Sequence, residues 1–505
     1  MSCTTILIGK KASHDGSTMI ARNDDGHFDV KKLIVVSPEK QPKKYKSKIG
    51  HLEIELPEKA LRYTATPNVD KKDGIWAAGG INEANVGMTA TETITTNPRV
   101  LGADPLVEYK KAEKRGEKDV PGGIGEEDLV VLVLPYIKSA REGVLRLGSL
   151  LEKYGTYESN GIAFNDENEI WWLETIGGHH WIARRVGDEE VVIMPNQFGL
   201  DRFDFDDAYG KGKNNLCSKD LKEFMEKNFL NTGKGEDFNP REAFGSHDDG
   251  DHVYNTPRAW FMARYFMPNS YIWDGECADF GPESDDIPWA FEPEKKVTPE
   301  DVKYILSSYF QGTPYNPYSA SAEKKGIYRS IGINRTSVMC ILQIRGYMKE
   351  EALKSVQWLC FGSNAFNAAL PLYSNVSKMP KYFSGTTMEV STDSLYWSNR
   401  LIEVIADAKF GDCTQHIERY QEKIPSKGRE LIAKYDAKAA EAAKTAGKGK
   451  ASGKGAGGAA AIEKILEEAN EELAKMSKKE TIYTLGKVLE TAGPKMKNGY
   501  SRSDN

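Results

Sequence analysis

Cys3 stands two residues from the start of the chain and leads into the run Thr4-Thr5-Ile6-Leu7-Ile8. Removal of Met1 and Ser2 would leave it as an amino-terminal residue with both a thiol and a free α-amine. Such a residue is a compact catalytic unit: the amine takes the proton and the thiolate attacks a carbonyl. A cysteine in a strand is otherwise a small buried hydrophobe. What turns the reading toward chemistry is Arg22-Asn23-Asp24-Asp25, at the end of a second strand that returns beside the first. A cation there can face the thiol, and a carboxylate can face the amine.

Four other segments offer chemistry. Asn196, in Pro195-Asn196-Gln197-Phe198, directly follows a strand, and a fixed, uncharged amide is a good oxyanion donor; its structural alternative is a turn residue. Arg258 opens a helix after Asn255-Thr256-Pro257, with proline near the first turn. It is placed to meet a carboxylate or the nucleophile's surroundings, or else makes a surface ion pair. Thr91-Glu92-Thr93 ends a strand and can offer a backbone N–H. Glu174, beside Trp171-Trp172, puts an acid next to aromatics and can meet an ammonium group; by strand alternation it can equally face solvent.

Other patterns carry less. Gly453-Lys454-Gly455-Ala456-Gly457-Gly458 spells a dinucleotide-loop pattern, but it lies in low complexity with no strand before it. His247-Asp248-Asp249-Gly250-Asp251-His252 has metal-binding atoms but reads as a solvated loop. His179 and His180 are neighbours between strand-like segments, so they should face opposite sides and not share an ion. No metal or cofactor is expected.

The elements that must hold these groups follow from pattern. Residues 3–9, 18–21, 33–36, 76–81 and 86–91 read as strands, with a turn at His14-Asp15-Gly16-Ser17 joining the first two. Residues 126–153 carry helical periodicity that Pro135 interrupts, so two helices or a kink are expected. Strands resume at 161–164, 170–174, 181–186 and 191–194, helices at 218–229 and 256–267, and strands again near 336–345, 355–361 and 367–373. This order suits a layered α+β protein with mostly antiparallel sheets. Residues 437–460 are almost only Ala, Lys, Gly, Glu, Thr and Ser and read as a flexible tract. After it, Ile462, Ile465, Leu466, Ala469, Leu473 and Met476 recur at helical spacing. That helix should dock on the main body or on a neighbouring subunit, which leaves a homo-oligomer open. The final residues, Lys495 to Asn505, read as frayed.

Composition narrows the class. The chain has 505 residues, 39% of them hydrophobic, and a net charge of −6, which argues against general nucleic-acid binding. No stretch approaches eighteen apolar residues, so no membrane span is expected. The start lacks the basic segment of a signal peptide. Six scattered cysteines without a C-x-x-C pair read as reduced thiols in a cytoplasmic protein.

Five separated motifs, in order, resemble the bacterial dipeptidase A family: M-S-C-T-T-I-L-I-G-K-K-A-S-H-D-G-S-T-M-I-A-R-N-D-D, W-A-A-G-G-I-N-E-A-N-V-G-M-T-A-T-E-T, I-W-W-L-E-T-I-G-G-H-H-W-I-A-R-R-V, I-M-P-N-Q-F and Y-N-T-P-R-A-W. That family comprises cysteine peptidases of the amino-terminal nucleophile hydrolase superfamily, related to secernins and to penicillin V acylase and bile salt hydrolase. The resemblance runs from residue 3 to about 435. It implies a four-layer αββα sandwich with two antiparallel sheets, a catalytic domain over 3–436, a linker over 437–460 and a helical tail over 461–505. It implies Cys3 as nucleophile and Arg22 against its sulfur, favouring the thiolate. Asp25, or else Asp24, would orient the α-amine. Asn196 resembles the oxyanion amide and Arg258 the helix-start arginine of the acylase pattern, while Glu92 sits where a backbone N–H completes the oxyanion hole. The implied activity is intracellular hydrolysis of dipeptides, with Glu174 and an arginine as candidates for the substrate's two charges. An acylase of the same fold, or a secernin-like protein without peptidase activity, are the alternatives. Many relatives begin Met-Cys, whereas Ser2 intervenes here. Attack of the Cys3 thiol on the Ser2 carbonyl, followed by thioester hydrolysis, is the expected route of removal.

Overall fold

Alternation along the first two strands sets the architecture. Ile6 and Ile8 pack in one core and Leu7 in another, and Met19 and Ala21 separate in the same way from Ile20. Strands with apolar residues on both faces must be covered on both faces. The computed structural model describes residues 3–233, 238–246, 248–450 and 458–496. Its main strands are β1 (Thr4–Ile8), β2 (Thr18–Asp24), β3 (Gly79–Ile81), β4 (Gly87–Thr89), β5 (Glu92–Thr93), β6 (Asn160–Asn165) and β7 (Ile170–Thr175). They continue as β8 (Trp181–Val186), β9 (Val191–Met194), β10 (Asn215–Cys217), β11 (Ala290–Phe291), β12 (Val338–Ile344), β13 (Ser355–Phe361) and β14 (Leu370–Tyr373).

These strands form two seven-stranded antiparallel sheets, ordered β11-β9-β1-β2-β12-β13-β14 and β10-β8-β7-β6-β4-β3, with β5 also pairing β6. The sheets face one another where β2 and β12 meet β3, β4 and β6. The register across β1 and β2 sets Thr5 opposite Arg22 and Leu7 opposite Ile20. Cys3, Thr5 and Leu7 therefore share the face between the sheets with Ile20, Arg22 and Asp24, while Asn23 points to the other side.

Helices cover the remaining faces. The acidic start of α1 (Glu126–Val133) leads into a 3-10 turn at Leu134–Tyr136, where Pro135 breaks the helical pattern, and α2 (Ala140–Tyr154) follows. Ser139 caps α2 by accepting from the Glu142 N–H, and the helix lies across β6, β7 and β8. Helices α3 (Thr256–Phe266) and α4 (Pro299–Leu306) pack on the other sheet, α3 against β9 and α4 against β1, β2 and β12. Helix α5 (Leu395–Ala408) lies against β13.

The C-terminal segment differs from the flexible tract that its composition suggests. Residues 437–450 continue a single helix, α6 (Phe410–Lys450), which pairs along α7 (Gly458–Ala492). Alanine, lysine and glutamate are strong helix formers, so low complexity of this kind extends a helix that is already nucleated. Residues 451–457, which hold most of the glycine pattern, lie outside the described residues, as does the end of the chain beyond residue 496. Helix α7 docks on its own body. Ile462, Leu466, Ala469 and Leu473 enter the main core, and Asn470 exchanges hydrogen bonds of 3.0 Å with the backbone of Tyr373 at the edge strand β14. That pairing covers backbone groups that an edge strand would otherwise leave open.

Leu466 is fully buried, whereas Val404 is 65% exposed. Leu466→Ala should cost about 2–5 kcal/mol in urea unfolding through the cavity it leaves. Val404→Ala should stay within about 0.5 kcal/mol. Equal effects would mean that α7 is not part of the cooperative core.

Candidate active site

The Cys3 sulfur is buried at the end of β1, and β2 brings Arg22 to it from one strand away. Arg22 Nη2 donates to Cys3 Sγ at 2.9 Å, to Glu126 Oε1 at 2.6 Å and to Asp24 Oδ1 at 3.4 Å. Its Nη1 donates to the carbonyls of Ala78, at 3.2 Å, and Ala90. Cys3, Asp24 and Glu126 lie close enough to be mistaken for a metal-ligand set, since their donor atoms fall within 4.8 Å of one another. The guanidinium bonds to all three and supplies the positive charge there.

Glu126 was not anticipated from the sequence. It opens α1 after Gly125, where helix-end N–H groups favour an anion, and it also accepts from the Thr91 N–H at 3.3 Å. The signal available was three acids, Glu126-Glu127-Asp128, directly ahead of an apolar run; all three are buried. Lys31 was also missed. Its Nζ lies 2.6 Å from Asp24 Oδ2 and donates to the Trp76 carbonyl at 2.8 Å.

A second arginine holds the backbone at Cys3. Arg258, in the first turn of α3, donates through Nη1 to the Cys3 carbonyl at 2.5 Å and to Thr4 Oγ1 at 2.6 Å. Through Nη2 it donates to Asn196 Oδ1 and Asn255 Oδ1, both at 2.7 Å. Asn196, with its oxygen so occupied, turns its amide nitrogen to the Thr93 carbonyl at 2.8 Å. Arg258 thus bridges the Cys3 backbone and the candidate oxyanion amide in one planar group.

The two aspartates after Arg22 diverge, as strand alternation requires. Asp24 stays on the face between the sheets with Arg22 and Lys31. Asp25 follows the strand and accepts from Arg329 Nη2 and Thr336 Oγ1, each at 2.6 Å. Glu92 is buried beside this group and accepts from Thr5 Oγ1 at 2.8 Å through its side chain. Burial pushes Glu92 up to about 8, against the pull of Arg258 and Thr5. Glu174 is not among the groups around the sulfur. Its Oε1 accepts from Trp172 Nε1 at 3.0 Å and from the Gly199 and Leu200 N–H groups at 2.7 and 3.4 Å. It is fully buried, and its Oε1 is taken up by the loop that follows Asn196, while its Oε2 has no hydrogen-bond partner among the described residues.

Burial pushes the Cys3 thiol well above its ordinary range. Arg22 pulls it down, while Glu126, Glu92 and Asp24 push it up. Arg22 itself is held charged, against burial, by Cys3, Glu126 and Asp24. A thiol so placed needs a nearby base to become a nucleophile.

Two histidine readings change. His179 and His180 precede β8 in a bend, so strand alternation does not separate them; both Nδ1 atoms turn to Asp104, at 3.2 and 2.8 Å. His247 lies outside the described residues, and His252 Nε2 meets Asp285 at 3.1 Å.

Comparison with known proteins points to one family. The signature of Peptidase family C69 matches residues 2–423. The chain is 51% identical to a protein named "Dipeptidase" from Bifidobacterium longum (strain NCC 2705), over the full length of both. It is 48% identical to a "Probable dipeptidase A" from Streptococcus pyogenes serotype M3, again over all of both chains. It is 46% identical to "Dipeptidase A" from Lactobacillus helveticus over 81% of this chain and 82% of that one.

Glu174 gives a pH test of the buried loop contact. Burial raises it from 4.5 to about 7, against hydrogen bonds from Trp172, Gly199 and Leu200. The folded state therefore binds this proton more tightly than the unfolded chain. The stability it contributes is full below pH 4.5 and is lost as pH rises through 7. Thermal melts between pH 5 and 8 should fall with pH, and Glu174→Gln should show a shallower slope. Parallel curves would mean that Glu174 is not buried as described.

Proposed function

The chain belongs to peptidase family C69, and from that premise we propose that it is a dipeptidase whose nucleophile is an amino-terminal Cys3. The observation that carries this reading is the guanidinium of Arg22 against a buried Cys3 sulfur whose own surroundings do not ionise it. In our reading the facing sheets and their outer helices form the αββα sandwich of amino-terminal nucleophile hydrolases. The catalytic unit falls within 3–436, with the α6–α7 hairpin bracing it.

Maturation removes Met1 and Ser2, which lie outside the described residues. The Cys3 sulfur attacks the Ser2 carbonyl, the Cys3 nitrogen leaves, and water hydrolyses the resulting thioester. The freed α-amine, oriented by Asp25, then takes the thiol proton in each turnover. Arg22 stabilises the thiolate as it forms. Attack on the scissile carbonyl sends negative charge to its oxygen. The Asn196 amide and a backbone N–H at Glu92 receive that charge. The amine returns its proton to the leaving amine, and water cleaves the thioester to release the second amino acid.

The remaining groups act by position. Arg258 fixes the Cys3 carbonyl and the Asn196 amide relative to each other, a geometry on which attack depends. Arg329 and Thr336 hold Asp25. Glu174 supports the Asn196 loop. No metal or cofactor enters this mechanism. The charged surroundings suit a dipeptide, with its free amine and free carboxylate, better than an apolar acyl group. The six cysteines are all free thiols, which supports the cytoplasm as the compartment. No helix among the described residues is long and apolar enough to cross a membrane.

Amino-terminal sequencing of the active protein, with hydrolysis of Ala-Leu as the assay, tests this reading. The active protein should begin at Cys3. Cys3→Ala should keep its fold and its Ser2 and should lose activity by at least about 10³-fold, the nucleophile being absent. EDTA should leave the wild-type rate unchanged. Full turnover with Ser2 in place, or by Cys3→Ala, would contradict the mechanism. Hydrolysis of penicillin V in preference to Ala-Leu would move the activity to the acylase class.

A further inference from the structure

Helix α4 buries a lysine that no protein group neutralises. Its sequence, Pro299-Glu300-Asp301-Val302-Lys303-Tyr304-Ile305-Leu306, starts with a capping box from Thr298 and Asp301. Val302, Ile305 and Leu306 face the core, and Lys303 lies on the same side, 9% exposed. A buried lysine is nearly always paired. Lys303 Nζ has no hydrogen-bond or ion-pair partner among the described residues. Glu300, one turn earlier on the same helix, is already taken by Arg429, whose Nε and Nη2 both reach its carboxylate, the latter at 2.5 Å. Burial lowers Lys303 to about 8, and Cys360 pulls weakly the other way.

Lys303 lines a cavity of about 500 Å³ between α4, β13 and the helices α5 and α6. That volume falls within the range of small-molecule sites. Trp358, Phe366, Phe410 and Ile417 give it apolar walls, and Glu418 and Glu422 stand at its exposed rim. None of its lining residues belongs to the charged cluster around Cys3. One buried cation among aromatic walls selects a ligand with one anionic group on an apolar body. A phosphate or polyanion would leave most of its charge without a partner.

We propose that this cavity is a second ligand site, separate from the catalytic one, for a small molecule with one carboxylate on an aromatic or large aliphatic body, with Lys303 as its counter-ion. Both free amino acids and plain carboxylic acids carry that chemistry. The rim carboxylates Glu418 and Glu422 are placed to favour the amino acid, whose ammonium would point outward.

Calorimetric titration of the full chain at pH 7 tests this with three probes that share one body: 3-phenylpropanoate, L-phenylalanine and phenethylamine. At least one of the two carboxylates should bind, and phenethylamine should not. Tighter binding of phenylalanine identifies an amino acid as the ligand class, and tighter binding of 3-phenylpropanoate identifies a plain acid. Lys303→Met should weaken carboxylate binding at least tenfold and leave Ala-Leu hydrolysis unchanged, which separates this site from product binding at Cys3. Ala365→Trp, at a partly buried position in the wall, should block the same binding without removing the charge. Carboxylate affinity should also fall between pH 7 and 9.5, as Lys303 loses its proton. Failure of both carboxylates to bind at millimolar concentration would overturn the proposal. So would binding of phenethylamine with equal affinity, or undiminished carboxylate binding by Lys303→Met.

Discussion

The site depends on one buried guanidinium. Arg22 is fully desolvated, and desolvating a cation is costly unless every neighbour helps to compensate. It has a sulfur, two carboxylates and two backbone carbonyls around it. Those acceptors come from different parts of the chain. Cys3 precedes β1, Asp24 ends β2, Ala78 and Ala90 flank the β3–β4 hairpin of the opposite sheet, and Glu126 starts α1. The hydrogen bonds of Arg22 therefore tie both sheets and a helix together around Cys3. Removing one partner from such a group costs about 3–5 kcal/mol, because it strands the charges that remain.

The same economy runs through the rest of the cluster. Arg22, Lys31, Arg258 and Arg329 stand against Asp24, Asp25, Glu92 and Glu126, four cations and four acids, all within a buried region. Ion pairs such as Arg22 with Glu126, Lys31 with Asp24 and Arg329 with Asp25 offset the cost of burying these charges. A protonated Cys3 adds no charge, whereas a thiolate adds an anion that Arg22 is placed to receive. Burial and three nearby acids favour the protonated thiol, so in the proposed mechanism attack needs a base. An amine on the same residue is the nearest base that removal of Met1 and Ser2 can create.

Much of this was legible in the sequence, for reasons of strand geometry. The turn between β1 and β2 fixes a register that sets Thr5 across from Arg22, and alternation then puts Arg22 on the face of Cys3. The break at Pro135 and the longer strands of both sheets follow from periodicity, whereas the edge strands β10 and β11, two or three residues each, are too short to show a pattern. What was not legible depends on distant packing. Glu126 is separated from Cys3 by more than a hundred residues, and only the fold of α1 against the β3–β4 hairpin brings it in. Glu174 reads as a strand-end acid open to a ligand, but the loop after Asn196 folds over it and takes its carboxylate. Asp24 and Asp25 cannot be separated by type. The strand's end separates them, with Asp24 kept beside Arg22 and Asp25 carried to Arg329. The Ala- and Lys-rich stretch misleads because simple composition suggests flexibility, while the same residues have high helix propensity and only need a helix to extend.

The central claim is that Arg22 lowers the cost of ionising a buried Cys3. The rate of Cys3 alkylation by iodoacetamide, followed by mass spectrometry across pH 6 to 10, measures it directly. In Arg22→Gln, with fold confirmed by its melting curve, the reaction should slow at neutral pH and its midpoint should move to higher pH than in the wild type. The same rate and the same midpoint in both proteins would contradict the account, because the thiolate would then owe nothing to the guanidinium beside it.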